Sequence, residues 1–146
     1  MAVMESRASV VWKGNLREGE GRLRPGSGAF PELTVTFGAR TESADGKTNP
    51  EELIASAHAV CYAMAFSNTL TQEGAPPESL DVSAVCTLDR VEGGLKITKM
   101  DLAVRGSVPG IDEAKFRELA QTAEGRCPVS NALRGNVEIA LSAELA

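Results

Sequence analysis

The sequence predicts an α+β fold in which antiparallel β-sheets pack around long central helices. Three observations predict this class. Strand-like alternation occurs before residue 40 and after residue 79, a long apolar helix-like segment begins at Pro50, and two shorter helix-like segments precede the last strand. A chain of 146 residues has the usual size for one hydrophobic core, so we expect a single domain over residues 1–146.

Composition and charge indicate which classes of partner and which cellular location to expect. Apolar residues make up 42% of the chain and charged residues 24%, close to the averages for globular proteins. The 15 basic and 20 acidic residues leave a net charge of −5, which favours neither nucleic acid nor an anionic membrane surface as a partner. No signal-peptide pattern opens the chain, and residues 53–72 carry too many polar side chains for a membrane span. We predict a cytoplasmic protein that acts on a small molecule or on another protein.

The first third of the chain is predicted to form strands. Residues 10–12 and 16–23 are expected to pair as a hairpin, because Lys13-Gly14-Asn15 between them is a turn signal. Residues 33–37 have the β-branched and aromatic composition of a third strand. After this strand, Gly38 is expected to lead the chain into a polar loop.

Residues 50–72 are predicted to form the central helix. An N-cap candidate, a proline at the first helical position and two acidic residues stand at its start, and Gly74 with Pro76 ends it. The helix is apolar on nearly every side, whereas one sheet of a chain this size covers only one helix face. We therefore expect a homodimer that sandwiches this helix.

A second hairpin is predicted after the central helix. Residues 80–88 alternate with the period of a half-buried strand, which directs Cys86 into a core. Gly93-Gly94 then turns the chain into another strand. The apolar residues of that strand change phase, and a bulge near Thr98 would reconcile the two phases.

Two short helices and a final strand are predicted to complete the chain. Asp112 can cap a helix that Gly125 ends, and Pro128 at the next helix start is followed by Gly135 as a stop. Residues 137–145 alternate cleanly, which predicts a strand with one solvent-exposed face.

The three cysteines, Cys61, Cys86 and Cys127, are too few for a disulfide scaffold, and reducing cytosol would keep them as thiols. Any disulfide in this protein is therefore expected to form transiently during a reaction and not as a permanent structural cross-link. Cys61, taken alone, fits a small buried apolar residue. Cys127 precedes proline at a helix start, where unpaired N–H groups and the positive helix end favour a thiolate. An ordinary N-cap substitute explains Cys127 equally well.

Two distant segments carry a family resemblance. Residues 48–64 contain Asn-Pro-Glu-Glu and then Ala-His-Ala-Val-Cys61, and Cys127-Pro-Val-Ser130 follows far downstream. Together they resemble the OsmC/Ohr family of hydroperoxide-reducing proteins, with the histidine-containing segment closer to the OsmC branch. The resemblance implies an OsmC-like intertwined homodimer. It extends to the N-terminal strands, at residues 12–14, 19–21 and 37–40.

This resemblance implies a thiol-dependent peroxidase that uses no metal or other cofactor. Cys61 would reduce an organic hydroperoxide, or less well hydrogen peroxide, and Cys127 would convert its sulfenic acid into an intramolecular disulfide. A dithiol donor, such as a lipoylated protein, would reduce that disulfide. Only about 3% of a thiol with the reference pKa is ionised at pH 7, so a cation must stabilise the thiolate. The family position of Arg40 implies this cation, and that of Glu51 implies the carboxylate that orients it.

The length of the central helix separates two of these residues. Ten residues of helix span about 15 Å, so Glu51 and Cys61 of one helix cannot both touch one guanidinium. If both act on Arg40, they come from different subunits. We therefore predict active sites at the subunit interface of the homodimer.

Two other functions remain open from the sequence. The same cysteine pair would serve a redox-sensing or binding protein that switches reversibly without efficient turnover. A structural zinc module would use His58 with Cys61 and Cys127, although zinc sites usually show closer ligand pairs. His58 could also be a second cation for Cys61, but a hydrogen-bonded core histidine is the interpretation we favour.

Overall fold

The computed structural model describes all residues from Met1 to Ala146, and the chain divides into two units, Met1–Leu53 and Ile54–Ala146. The boundary falls within the long helix α2 (Pro50–Gln72). Mixed α and β structure is present as predicted, with two three-stranded sheets and four helices. The expectation of a single domain stays a prediction.

The first unit holds an antiparallel sheet of strands β1 (Ala8–Lys13), β2 (Glu20–Pro25) and β3 (Leu33–Val35). The predicted hairpin is confirmed, but its second strand begins at Glu20 rather than at residue 16. The Glu18 N–H donates to Asn15 Oδ1 at 2.8 Å, and the Gly19 N–H donates to the Asn15 carbonyl at 2.9 Å. These bonds hold residues 15–19 as a turn, which delays the strand.

A short helix, α1 (Phe37–Thr41), follows β3 where the sequence analysis expected the end of a strand and a polar loop. That expectation was wrong because Thr36 ends the strand by capping the helix. Its hydroxyl accepts a hydrogen bond from the Ala39 N–H at 3.2 Å, which satisfies one of the unpaired donors at the helix start. The helix carries Arg40 in its last turn.

The central helix α2 begins and ends as predicted. Asn49 Oδ1 accepts a hydrogen bond from the Glu52 N–H at 2.8 Å, and Gly74 follows the helix in a left-handed conformation with φ of 79°. Helix α2 is long and apolar enough to cross a membrane, by length and hydropathy alone. The polar side chains of residues 53–72 were the reason to predict that it does not. The core helices of globular proteins can have the same length and hydropathy, and one side of α2 lies in the core of the second unit.

The second unit is built on a sheet of β4 (Ser79–Val91), β5 (Gly94–Ser107) and β6 (Glu138–Leu145). The β4–β5 hairpin is confirmed, and so is the bulge: Thr87 pairs with Lys99 and Leu88 with Ile97, which leaves Thr98 as the extra residue. Cys86 is half-buried on β4, opposite the fully buried Met100.

Strand β6 differs from the predicted antiparallel arrangement, because it pairs parallel to β5. The chain between these strands forms helices α3 (Glu113–Arg126) and α4 (Pro128–Leu133). A helical crossover of this kind returns the chain to the end of the sheet at which β5 began, so β6 must run in the same direction.

Cys127 separates α3 from α4 and belongs to the ends of both helices. Asp112 caps α3 as predicted, accepting a hydrogen bond from the Lys115 N–H at 2.8 Å. The expected stop at Gly125 was wrong, because α3 continues to Arg126 and ends where Cys127 adopts an extended conformation before proline. Gly135, with φ of 87°, follows α4 as predicted.

The core of the second unit lies between α2, α3 and the sheet. Phe66 on α2 contacts Phe116 on α3, with ring centroids 5.0 Å apart. The opposite side of α2 is uncovered, with Val60 55% and Met64 69% exposed. The largest fully buried apolar side chains are Tyr62, Phe66, Leu70, Met100, Leu102 and Phe116.

Candidate functional site

Cys61 on α2 and Cys127 at the start of α4 meet in the Ile54–Ala146 unit. Cys61 packs against the core cluster that contains Cys127, and both Cys127 and the Val129 backbone lie close enough to shift the pKa of the Cys61 thiol. Both cysteines are free thiols; Cys61 is half-buried and Cys127 is fully buried. The structure therefore brings together the two cysteines that the sequence analysis paired, although 65 residues stand between them.

Burial raises the pKa of the Cys61 thiol above its ordinary value. The Val129 peptide group, in the first turn of α4, lowers the pKa of Cys61 by stabilising the charged sulfur. The neighbouring Cys127 raises it further. No cationic side chain of the Ile54–Ala146 unit is among the groups that shift the pKa of Cys61. A reactive thiolate at neutral pH therefore needs a cation supplied from elsewhere.

Arg40 and Glu51 form a second side-chain pair, in the Met1–Leu53 unit. Arg40 Nε donates to Glu51 Oε1 at 2.9 Å and to Oε2 at 3.2 Å, and Nη2 donates to Oε1 at 2.7 Å. None of these bonds uses Nη1, which can still bind an anion. Glu51 is only 6% exposed, so its carboxylate fixes the orientation of the guanidinium plane.

Asn49 supports this pair from the start of α2. Its side-chain amide donates to the carbonyl oxygen of Ala39 on α1 at 3.1 Å, while its oxygen caps α2. The residue therefore joins the helix that carries Arg40 to the helix that carries Glu51. The sequence indicates the cap at this position but not the link to α1.

His58 lies one helical turn before Cys61 and is fully buried. Its Nε2 is 2.6 Å from the hydroxyl oxygen of Ser130 on α4, which is also fully buried. Burial lowers the pKa of His58 below its ordinary value of 6.5, and the Glu124 carboxylate partly opposes this shift. The interpretation as a hydrogen-bonded core histidine is confirmed, and His58 is not among the groups that shift the pKa of Cys61.

Ser130 belongs to the Cys127-Pro-Val-Ser130 segment that carries the family resemblance, but no role was predicted for it. It stands three residues after Cys127, which matches the spacing from His58 to Cys61. Residues three apart on a helix share a face, so this repeated spacing was the available signal. The structure contains no group of three or more His, Cys, Asp or Glu side chains that could hold a metal ion. The ligand set of the zinc alternative is therefore not assembled.

Two bonds between α3 and α4 hold the segment that carries Cys127. Arg134 Nη2 donates to Glu124 Oε1 at 2.7 Å, and the side-chain amide of Asn131 donates to the Gly125 carbonyl at 3.1 Å. Glu124 is 5% exposed, so its carboxylate is buried, and the exposed Arg134 supplies the compensating charge.

Comparisons with known proteins match most of the chain. The family described as "OsmC-like protein" matches residues 42–142. Peroxiredoxin OsmC of Escherichia coli (strain K12) is 40% identical over 136 residues, which cover 93% of this chain and 94% of that protein. Organic hydroperoxide resistance protein OhrB of Bacillus subtilis (strain 168) is 31% identical over 122 residues, covering 83% of this chain and 87% of that protein. Its crystal structure superposes with a TM-score of 0.79 at 25% identity, covering 99% of this chain and 100% of that chain.

Proposed function

Because this chain belongs to the OsmC-like protein family, we propose that it is a thiol-dependent peroxidase that reduces organic hydroperoxides, and hydrogen peroxide less well. The proximity of Cys61 to Cys127 is the observation that carries the proposal. Relatives named peroxiredoxin OsmC and organic hydroperoxide resistance protein support a hydroperoxide-related redox role.

The reaction uses both thiols in two steps. The Cys61 thiolate attacks the distal oxygen of the hydroperoxide, the O–O bond breaks, and the alkoxide takes a proton and leaves as an alcohol. Cys61 now carries a sulfenic acid. The Cys127 sulfur attacks the Cys61 sulfur, the S–O bond breaks, oxygen leaves as water, and a disulfide forms. A dithiol donor, such as a lipoylated protein, gives two electrons and two protons to restore both thiols and becomes a disulfide itself.

Arg40 supplies the cation that the cysteine pair lacks. The Glu51 carboxylate holds the guanidinium by Nε and Nη2, which leaves Nη1 to stabilise the thiolate and the developing alkoxide. Burial raises the pKa of Cys61. Without the positive charge of Arg40, the Cys61 thiol would therefore be less ionised, and less reactive, than a free thiol.

The active protein is a homodimer with its sites at the subunit interface. Val60 and Met64 on α2 are largely exposed, and a second copy would cover this apolar side. Arg40 is bonded to the Glu51 of its own chain, and ten residues of helix, about 15 Å, separate Glu51 from Cys61. Arg40 therefore serves Cys61 of the second copy.

Thiol counting tests the chemistry. One equivalent of cumene hydroperoxide should reduce the three free thiols of the unaltered protein to one, with a disulfide between Cys61 and Cys127 seen by mass spectrometry. Cys61→Ser should keep both remaining thiols, whereas Cys86→Ser should behave like the unaltered protein. Consumption of Cys86, or no reaction at Cys61, would contradict the proposal. Repeated turnover with dihydrolipoamide separates a peroxidase from a redox switch, which would show one stoichiometric oxidation.

Mixing two inactive variants tests the shared site. Arg40→Gln and Cys61→Ser each remove one part, and a mixed dimer would contain one complete site if Arg40 serves the other subunit. About a quarter of the unaltered activity should then return after subunit exchange, because half of the dimers are mixed and each has one working site of two. No recovery, despite exchange shown by mass spectrometry, would mean that each site belongs to one chain.

A further inference from the structure

A second link between α2 and α4 lies beside the cysteine pair. His58 stands three residues before Cys61 on α2, and Ser130 stands three residues after Cys127 on α4. His58 Nε2 and Ser130 Oγ are 2.6 Å apart, and both side chains are fully buried. The same two segments therefore approach each other at Cys61, which lies near Cys127 and the Val129 backbone, and they are hydrogen-bonded at His58 and Ser130.

We propose that His58 is a positioning residue for disulfide formation: through Ser130 it holds α4, and with it Cys127, against Cys61. This inference rests on the proposed function. The need for such a link follows from the size of α4, which has six residues and no side-chain bond at its Cys127 cap. A helix this short has little stability of its own, so its position depends on contacts with its neighbours.

The other side-chain bonds of α4 point in a different direction. Asn131 bonds to Gly125 and Arg134 bonds to Glu124, and both partners lie on α3. These bonds fix the corner between α3 and α4. The bond between His58 and Ser130 instead fixes α4 relative to the helix that carries Cys61.

The state of the imidazole suits a positioning role. Burial lowers the pKa of His58, and Nδ1 is buried without a hydrogen-bond partner. The tautomer that carries its proton on Nε2 donates to Ser130 and leaves only an acceptor nitrogen unpaired, which is less costly than a buried unpaired N–H. The ring therefore acts as a neutral hydrogen-bond donor, while Arg40 supplies the charge.

Positioning matters most in the second chemical step. The Cys127 sulfur must reach the Cys61 sulfur opposite the departing oxygen, at a separation of about 3–3.5 Å. The first step needs only Cys61, the hydroperoxide and the cation. Loss of the link should therefore slow disulfide formation and leave sulfenic acid formation almost unchanged.

Single-turnover kinetics separate these two steps. With cumene hydroperoxide, Ser130→Ala and His58→Leu should form the sulfenic acid within about twofold of the unaltered rate. They should form the disulfide at least about tenfold more slowly, so that dimedone traps Cys61. His58→Gln, whose amide N–H can replace Nε2–H, should recover most of the disulfide rate. Unchanged disulfide rates in Ser130→Ala would overturn the proposal.

Tyr62→Phe is the matched control. It removes another buried bond of α2, from the Tyr62 hydroxyl to the Ala120 carbonyl on α3 at 3.0 Å. It should lower thermal stability without delaying disulfide formation. Equal delay in Tyr62→Phe would show that general destabilisation, and not the His58 link, is responsible. If His58→Leu does not fold, Ser130→Ala carries the test, because it deletes only a hydroxyl.

A peroxide-free measurement keeps this inference distinct from the proposed function. Failure of the unaltered protein to reduce hydroperoxides would contradict the proposed function but not the inference about His58. Equilibration with reduced and oxidised glutathione then gives the effective molarity of Cys127 toward Cys61. Ser130→Ala should lower this effective molarity about tenfold, and an unchanged value would refute the link between His58 and α4.

Discussion

Arg40 holds the Glu51 carboxylate through two neighbouring N–H groups, with Nε 2.9 Å from Oε1 and 3.2 Å from Oε2, and Nη2 2.7 Å from Oε1. This geometry depends on a planar guanidinium that presents two N–H groups side by side. Its consequence is that the orientation of the Arg40 charge is set within the Met1–Leu53 unit, before any substrate binds. An ammonium group at the same place would keep the charge but lose the orientation.

Arg40→Lys is therefore expected to impair catalysis. We expect kcat/KM for tert-butyl hydroperoxide to fall about 10- to 100-fold, the equivalent of one charge-assisted hydrogen bond. The pKa of Cys61, measured from the pH dependence of iodoacetamide alkylation, should rise because burial is then less well opposed. Arg22→Lys, at an exposed arginine bonded to Glu20, is the matched control. Equal rates for the two variants would remove Arg40 from the mechanism.

The buried imidazole of His58 predicts a loss of stability in acid. Its pKa in the folded state lies below its ordinary value of 6.5, so the unfolded chain binds the proton first as pH falls. The stabilising contribution of neutral His58 is therefore complete above pH 6.5 and is lost as pH falls through the lower folded-state pKa. The Glu124 carboxylate limits the size of this loss. Urea unfolding of the unaltered protein and of His58→Gln from pH 7.5 to 5 should give a steeper decline for the unaltered protein; parallel declines would be contrary to this expectation.

Gly106→Ala should destabilise the second unit. A Cβ atom at Gly106 on β5 would lie 2.7 Å from the ring of Phe116 and 2.9 Å from Leu80 Cδ2, so the core would have to move. We expect a loss of about 1–3 kcal/mol in the free energy of unfolding. Gly125→Ala is the control, because nothing lies within 4 Å of its Cβ position on α3 and alanine favours a helix by about 1 kcal/mol. Chemical denaturation should move the two midpoints in opposite directions.

Met64→Glu tests whether the uncovered side of α2 is a dimer surface. Met64 is 69% exposed, and a carboxylate there would have to be buried without a partner in a dimer. Sedimentation velocity should show dimers of the unaltered protein and a shift toward monomers in the variant. Thr122→Glu, at an exposed position on α3, should leave the dimer intact. A monomeric unaltered protein would contradict the proposed assembly.

The sequence predicted best those features that local signals specify. The start of α2 has its cap, proline and acidic residues within four positions, and Thr98 is identified by a change of phase within one strand. Helix α1 was missed because Thr36 lies in a β-branched run that also suits a strand, and only its hydrogen bond to Ala39 distinguishes the two. Local composition does not carry that information.

Relationships between distant segments were harder to predict. The cysteine pair was anticipated through a family resemblance, whereas the bond between His58 and Ser130 was not, because no local pattern pairs two residues that are 72 positions apart. The parallel direction of β6 depends on how α3 and α4 cross the sheet, and the alternation of β6 is the same for either direction.

The parallel pairing of β6 with β5 also determines the order in which the chain can be completed during its synthesis. The hairpin of β4 and β5 can close as soon as both strands have left the ribosome, whereas the eight-residue strand β6 joins only after the intervening helices have folded back. Assembly of the cysteine-bearing unit therefore depends on a late pairing between distant segments, and one edge of β5 stays unpaired until β6 joins it.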